Sequence, residues 1–404
     1  MERPTNRFAC MLILAALLVL QIEVPAQSVD DGRLPSPAAS AAGGPHVAEA
    51  TGFDALFANP AGLAGTPPEF SVAKLGVQTT GPVFTLAGLV MRSLAGEDST
   101  SLLSSPDVQQ LLLSLYARAT VTGPLAFGYV GGGMGFGVYN VSDATVQSVP
   151  GGLETILGER ILLRGGYGLS IPIPFDSDSA SSAAGSWGTA SVGLGVKGFV
   201  RGDVTVATTL LGLPTFLESI GPGLLADSPF SLISGFGVDL GLRYAFPIPV
   251  TIGLTVEDLY TPTAVTDYSS FPDFLNGESA AAGTVYALLP QRINLGVLWT
   301  PGLGVVDRYV SDLRLMLDYR DIFDFLIAPA TSRNLALQFG LGAEATLLDV
   351  LSVRIGFSDG LLAAGLGLDL THVRLDAAMF GSELSGEPGL RPQYNLAIGL
   401  EFRR

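Results

Sequence analysis

The stretch Leu335-Ala336-Leu337-Gln338-Phe339-Gly340-Leu341-Gly342-Ala343-Glu344-Ala345 divides cleanly between two faces. Leu335, Leu337, Phe339, Leu341, Ala343 and Ala345 fall on one face; Ala336, Gln338, Gly340, Gly342 and Glu344 fall on the other. A period of two means strand, because successive side chains leave opposite sides of the pleat. The pattern resumes at once. Leu351, Val353, Ile355 and Phe357 oppose Ser352, Arg354 and Gly356, and Tyr394, Leu396, Ile398, Leu400 and Phe402 oppose Asn395, Ala397, Gly399 and Glu401. Charges stand at mid-strand on the polar face. A soluble sandwich with one wet face reads this way, and so does a membrane barrel with apolar residues toward lipid and polar ones toward a wet lumen.

Composition separates the two. The chain is 48% hydrophobic with a mean hydropathy of +0.45, yet after residue 26 it has no long apolar run. A closed barrel reconciles these facts, since lipid cannot satisfy open backbone groups. The 51 glycines suit strands with small inward positions. Residues 1–26 read as a cleaved signal peptide: Arg3 and Arg7 give the positive start, Met11 to Leu20 the apolar run, and Val24-Pro25-Ala26 the small-residue cleavage site. The run is too short to cross the ~30 Å hydrocarbon core. The one cysteine, Cys10, precedes the apolar run, so the mature chain is predicted to have no thiol chemistry. The formal charge of −16 argues against nucleic acid as a partner.

The alternation predicts an all-β antiparallel transmembrane barrel of about fourteen strands. They are expected near 69–79, 116–123, 125–141, 159–174, 187–201, 233–246, 249–259, 291–300, 311–320, 334–346, 350–358, 361–370, 372–381 and 393–402. Long links at 80–115, 202–232 and 260–290, with 142–158 moderate, alternate with short ones at Thr122-Gly123-Pro124 and Pro247-Ile248-Pro249. Outer-membrane barrels show this asymmetry, with long outer loops, here expected to hold short helices, and short periplasmic turns. The chain thus divides into 1–26 signal, 27–68 N-terminal segment and 69–404 barrel.

The N-terminal segment contains Ala50-Thr51-Gly52-Phe53-Asp54-Ala55-Leu56-Phe57-Ala58-Asn59-Pro60-Ala61-Gly62-Leu63-Ala64. A short helix and an Asn-Pro turn is the local reading. Phe53, Leu56, Phe57 and Leu63 need burial that a linker would not give. With its Asn-Pro-Ala motif, this segment followed by about fourteen strands resembles the FadL/TodX-type family of outer-membrane channels for hydrophobic compounds, and its spirochaete-type and PorV-like relatives. The resemblance implies that residues 27–68 are a hatch inside the barrel, with Phe57, Asn59, Pro60 and Ala61 as its motif. It also implies a kinked third strand that opens the wall sideways, for which Gly131, Gly132 and Gly133 are the expected positions. An outer-loop groove is implied in the same way, and Leu211, Leu213, Phe216, Leu217, Leu224, Phe230, Phe271 and Phe274 are more apolar than solvated loops require. Packing of these loops on one another is the competing reading. The terminal Leu400-Glu401-Phe402 resembles the signal read by the barrel-assembly machinery, although Arg403 and Arg404 follow it.

No motif points to an enzyme, a metal site or another cofactor: His46 and His372 have no partner motif, and the glycine triplet is read within a strand. Arg354 and Arg374 on the lumen face could grip a ligand carboxylate. The favoured reading is a cross-strand ion-pair network with Asp318, Glu344, Asp369, Asp376 and Glu401. The sequence therefore predicts a passive outer-membrane channel for hydrophobic molecules, long-chain fatty acids first, in contact with outer-membrane lipid. A barrel that docks a protein partner, or a general porin, is the alternative.

Overall fold

The alternating segments close into a ring. In a computed structural model, residues 33–404 are described, apart from 95–113, 175–185, 210–227, 279, 282, 305–308, 328, 330 and 331. The strands are β1 (Glu69–Thr80), β2 (Tyr116–Gly131), β3 (Met134–Val149), β4 (Gly152–Pro174), β5 (Ser186–Thr209), β6 (Phe230–Ala245), β7 (Val250–Tyr260), β8 (Pro262–Tyr268), β9 (Thr284–Leu288), β10 (Arg292–Trp299), β11 (Val310–Tyr319), β12 (Phe339–Leu347), β13 (Leu351–Ser358), β14 (Leu361–Leu370), β15 (Val373–Glu383) and β16 (Pro392–Arg403). β1 pairs antiparallel with both β2 and β16, and β5 pairs with β6, so the sheet has no seam. β6 pairs with β8 along Phe230–Gly235 and with β7 along Val238–Ala245. β7 and β8 therefore form one stave, β9 and β10 another, and the ring is a closed barrel of fourteen staves.

The alternation sets the two faces. Val77, Leu163, Leu194, Leu242, Ile355, Leu366 and Ile398 stand exposed on the outside. Their strand neighbours Gln78, Arg164, Gly193, Gly241, Arg354, Gly365 and Ala397 turn inward. A belt of exposed apolar side chains around a ring with no free edge is the arrangement lipid requires. Among the described residues no helix is long and apolar enough to cross a membrane. The wall is uneven: β4 and β5 have 23 and 24 residues, β10 and β13 only 8 each.

The start of β1 and the end of β16 lie at one end of the barrel, the terminus end, with the turns β2–β3, β6–β7, β12–β13 and β14–β15. At the other end β13 turns into β14 through Asp359 and Gly360, with φ of 54° and 76°. Both residues left-handed is the two-residue hairpin whose twist matches the strands.

Several expected boundaries move. Thr122-Gly123-Pro124 is not a turn; β2 runs through it, and the register slips between Thr122 and Ala126. The turn is Gly131-Gly132-Gly133, with φ of 150°, 61° and 83°. The alternation on either side looks alike, and Pro124 was the stronger punctuation in the sequence. Link 142–158 is almost all strand, because β3 and β4 pair as far as Val149 and Gly152. Link 260–290 is mostly the β8–β9 hairpin. Leu335–Leu337 form a turn of 3₁₀ helix, and β12 starts at Phe339. The expected signal peptide, residues 1–26, lies outside the described residues.

Residues 33–68 lie within the ring. A short helix, Pro37–Ala41, packs on β13–β16; a 3₁₀ turn, Gly52–Leu56, on β2–β4; and a second, Pro60–Leu63, on β4–β6. The segment thus reaches wall to wall across the lumen.

Candidate functional site

Asn59 explains the Asn-Pro-Ala motif. Its Oδ1 accepts from the Ala61 N–H at 3.0 Å and caps the 3₁₀ turn, while its Nδ2 donates to the carbonyls of Val47 at 2.8 Å and Leu242 at 3.1 Å. Pro60 takes the first helical position, where no N–H is needed. Ala61 is wholly buried, and the turn lies against the bare backbone of β5: a Cβ on Gly193 would stand 2.2 Å from the Ala61 nitrogen. Gly241, Gly253 and Gly356 are held free in the same way, their missing Cβ atoms falling on Asn59, on Val47 and Ala48, and on Ala42 and Gly43. Inward glycines therefore make the cradle in which the segment sits.

Phe57 enters an apolar band on the inner wall. Ala126, Tyr139, Val141, Leu162, Phe199 and Ile233 are buried there, with Leu34, Phe57, Val265 and Leu289 packed against them. Phe57 meets Tyr139 edge to face at 5.3 Å, and the Arg164 guanidinium lies 5.1 Å over its ring. A water-filled pore would be polar here. Sequence reasoning missed the band, although Ile161-Leu162-Leu163, apolar on both faces, was a signal. Beside it a cavity of about 470 Å³ separates segment from wall, bounded by Leu34, Phe53, Phe57, Tyr139, Lys74 and Glu401. A hollow of about 1020 Å³ near Trp299, Leu341, Ile355 and Met379 involves the outward face instead.

Charges of alternating sign line the rest. Glu49 of the segment meets Arg314 at 2.9 Å; Arg354 reaches Glu344 at 2.5 Å and Asp376 at 2.7 Å; Arg374 meets Asp376 at 3.0 Å. Arg354 and Arg374 thus each pair with wall carboxylates. A second chain runs from Arg164 through Asp239, Lys197, Asp258, Arg292 and Glu257 to Arg33 of the segment. Removing one partner from a buried pair costs about 3 kcal/mol, because the other charge stays behind. Asp239→Ala takes away the shared partner of Arg164 and Lys197, both almost wholly buried. The expected result is a barrel that loses its compact gel band at a clearly lower temperature. An unchanged unfolding temperature would contradict it.

Of the groove residues, Leu211, Leu213, Phe216, Leu217 and Leu224 lie outside the described residues. Phe230 meets Phe271 and Phe274 at 5.1 Å each, and Phe274 meets Tyr268 at 5.4 Å. By strand phase Phe230 shares a face with outward Val200, so this cluster covers the outer flank of the wall rather than the mouth. Gly131, Gly132 and Gly133 form a tight turn at the terminus end, so they cannot be a mid-wall opening.

A break does occur higher in the same strand. Between β1 and β2 the pairing stops after Ser71–Gly128 and resumes at Gly76–Thr122, leaving Val72–Leu75 opposite Gly123–Phe127. Pro124 has no N–H to give the ladder. Gly123, at φ 89°, passes so close to the Lys74 carbonyl that no side chain would fit. Ala126, at the edge of the break, is the register partner of Tyr139 in the apolar band.

No family model matches this chain, and no curated protein does. Solved structures similar to it include a deltaS2 mutant of the TodX monoaromatic hydrocarbon channel, at 13% identity and TM-score 0.46 over 93% of this chain and 99% of that one. The Pseudomonas putida toluene transporter TodX matches at 12% identity and TM-score 0.44, over 90% of this chain and 96% of that one. A Pseudomonas aeruginosa FadL homologue matches at 11% identity and TM-score 0.27, over 95% and 99%. The translocator domain of the Neisseria meningitidis autotransporter NalP is also similar, at 8% identity and TM-score 0.33 over 84% of this chain and 89% of that one. The likeness concerns the barrel fold alone.

Proposed function

We propose that this chain is a passive outer-membrane channel for small hydrophobic molecules, with long-chain fatty acids as the first candidates and residues 33–68 as its hatch. The apolar band inside the lumen carries the reading. Tyr139, Leu162, Phe199 and Ile233 present an oily surface at mid-lumen, covered by Leu34 and Phe57 of the hatch. A ligand that displaces those two side chains gains about 0.8 kcal/mol for each CH₂ it buries. The terminus end faces the periplasm and the far end faces outward. Exposed Phe84, Met91 and Leu275 on far-end helices offer apolar surface for first capture. The break between β1 and β2, beside Ala126, is the proposed side exit to lipid, in place of the glycine triplet. No energy source is required, because the ligand moves down its own gradient.

The test is lipid-extract mass spectrometry on the detergent-purified barrel, beside an unrelated barrel prepared identically. Specific enrichment of one apolar class is expected, and Phe199→Asp should abolish it while the barrel stays folded. Equal lipid in both preparations would turn the reading toward protein docking.

A further inference from the structure

We propose that a proton latches the hatch: His46 of the hatch and Asp318 of β11 hold it together, and loss of that proton frees the hatch from the wall. The inference rests on the reading of residues 33–68 as a hatch. His46 and Asp318 are both buried. The His46 Nδ1 meets an Asp318 carboxylate oxygen, and its Nε2 lies 2.7 Å from the Ala42 carbonyl. The other Asp318 oxygen accepts the Val47 N–H at 2.8 Å. A carbonyl only accepts, and an ionised carboxylate only accepts. Two hydrogen bonds from one ring to two acceptors therefore need two ring protons, or one ring proton and a protonated Asp318. In either form the pair holds one proton more than neutral imidazole beside carboxylate. Without it, a nitrogen lone pair would face a carboxylate oxygen in a site closed to water.

The surroundings leave Asp318 as the partner that matters. From the hatch, Glu49 adds negative charge, itself paired with Arg314 of β11. After β11, Arg320 donates to the Gly43 carbonyl and approaches Ser358. β10 and β12 present Gly296 and Gly342, whose bare backbones let the ring and carboxylate approach. Met316 and Leu298 close the site with apolar surface. Burial works against the cationic ring, but the Asp318 hydrogen bond and the charges of Asp318 and Glu49 outweigh it, so the proton is held more tightly than by a free imidazole. A group whose affinity for protons is raised by folding stabilises below its ordinary value and is lost as pH climbs through the raised one. The latch is thus closed at neutral pH and opens toward alkaline pH.

The chain has two histidines, which makes the test direct. In the histidine-labelled barrel in detergent, the His46 ring should titrate above the ordinary imidazole value. In planar bilayers, current through the intact barrel should rise several-fold from about pH 6 to about pH 10. His46→Gln should conduct at every pH with a flat profile, and Asp318→Asn should lower the pH at which His46 titrates. A His46 that titrates at or below the ordinary imidazole value, or a His46→Gln barrel with the wild-type pH profile, overturns the latch. If neither variant folds, the wild-type titration still decides. Deleting residues 33–68 separates the two claims: if it opens the pore and pH does not, the latch fails alone; if it opens nothing, the hatch reading fails.

Discussion

Deleting residues 33–68 is expected to turn a barrel that scarcely conducts into an open, stable pore, with a rise in polar-solute flux of about tenfold or more. The segment spans the lumen between β4–β6 and β13–β16. The wall should survive its loss. Every stave pairs with two neighbours through backbone hydrogen bonds that do not involve residues 33–68. Glu257, Arg314 and Asp318 would exchange Arg33, Glu49 and His46 for water. The apolar band would become wet, and that is the main stability cost. Swelling of liposomes by small sugars checks the prediction; equal swelling with the intact and deleted barrels would contradict it.

Gly193→Val is the second large effect. Valine is a favourable strand residue, so the wall should accept it. The hatch should not. The first added carbon would fall 2.2 Å from the Pro60 carbonyl carbon and the Ala61 nitrogen, and backbone on both sides leaves nothing that can swing away. Overpacking of this kind costs about 1–3 kcal/mol. The Asn59 cap would be pulled from the Val47 and Leu242 carbonyls in the same movement. Gly198→Val on the same strand is the control: its added carbon meets only Leu163 side-chain atoms, at 3.8 Å. The expected result is leakage in Gly193→Val and none in Gly198→Val, read as current at fixed voltage. Equal currents would show that the 3₁₀ turn does not need its cradle.

The barrel was legible because lipid outside and water inside write a period of two into each stave. Val353, Ile355 and Phe357 against Ser352, Arg354 and Gly356 show it plainly, and β13 follows it from Leu351 to Ser358. Strand ends were less legible. Past the membrane belt both faces of β3–β6 meet either protein or water, so nothing in the pattern of residues 142–158 marks where a strand stops. Pro124 misled for a related reason: proline usually ends strands, yet here it sits where the ladder is already open. The ion pairs were foreshadowed by mixed signs on neighbouring strands, as with Arg314, Glu344 and Arg354, because paired charges must alternate across the register. The apolar band was hidden, since Tyr139, Leu162 and Phe199 lie on three successive strands and line up only through the β3–β4 and β4–β5 registers.

The proposed passage of hydrophobic molecules through this barrel can be read as uptake in cells that have lost their own hydrophobic channel. The barrel, or a Phe199→Asp version present at equal abundance, is restored to them, and entry of a labelled long-chain fatty acid is measured beside a labelled sugar. Fatty-acid entry restored by the intact barrel alone, with sugar entry unchanged, is the predicted result. Sugar entry that rises while fatty-acid entry does not, or equal fatty-acid entry with both versions, would contradict it.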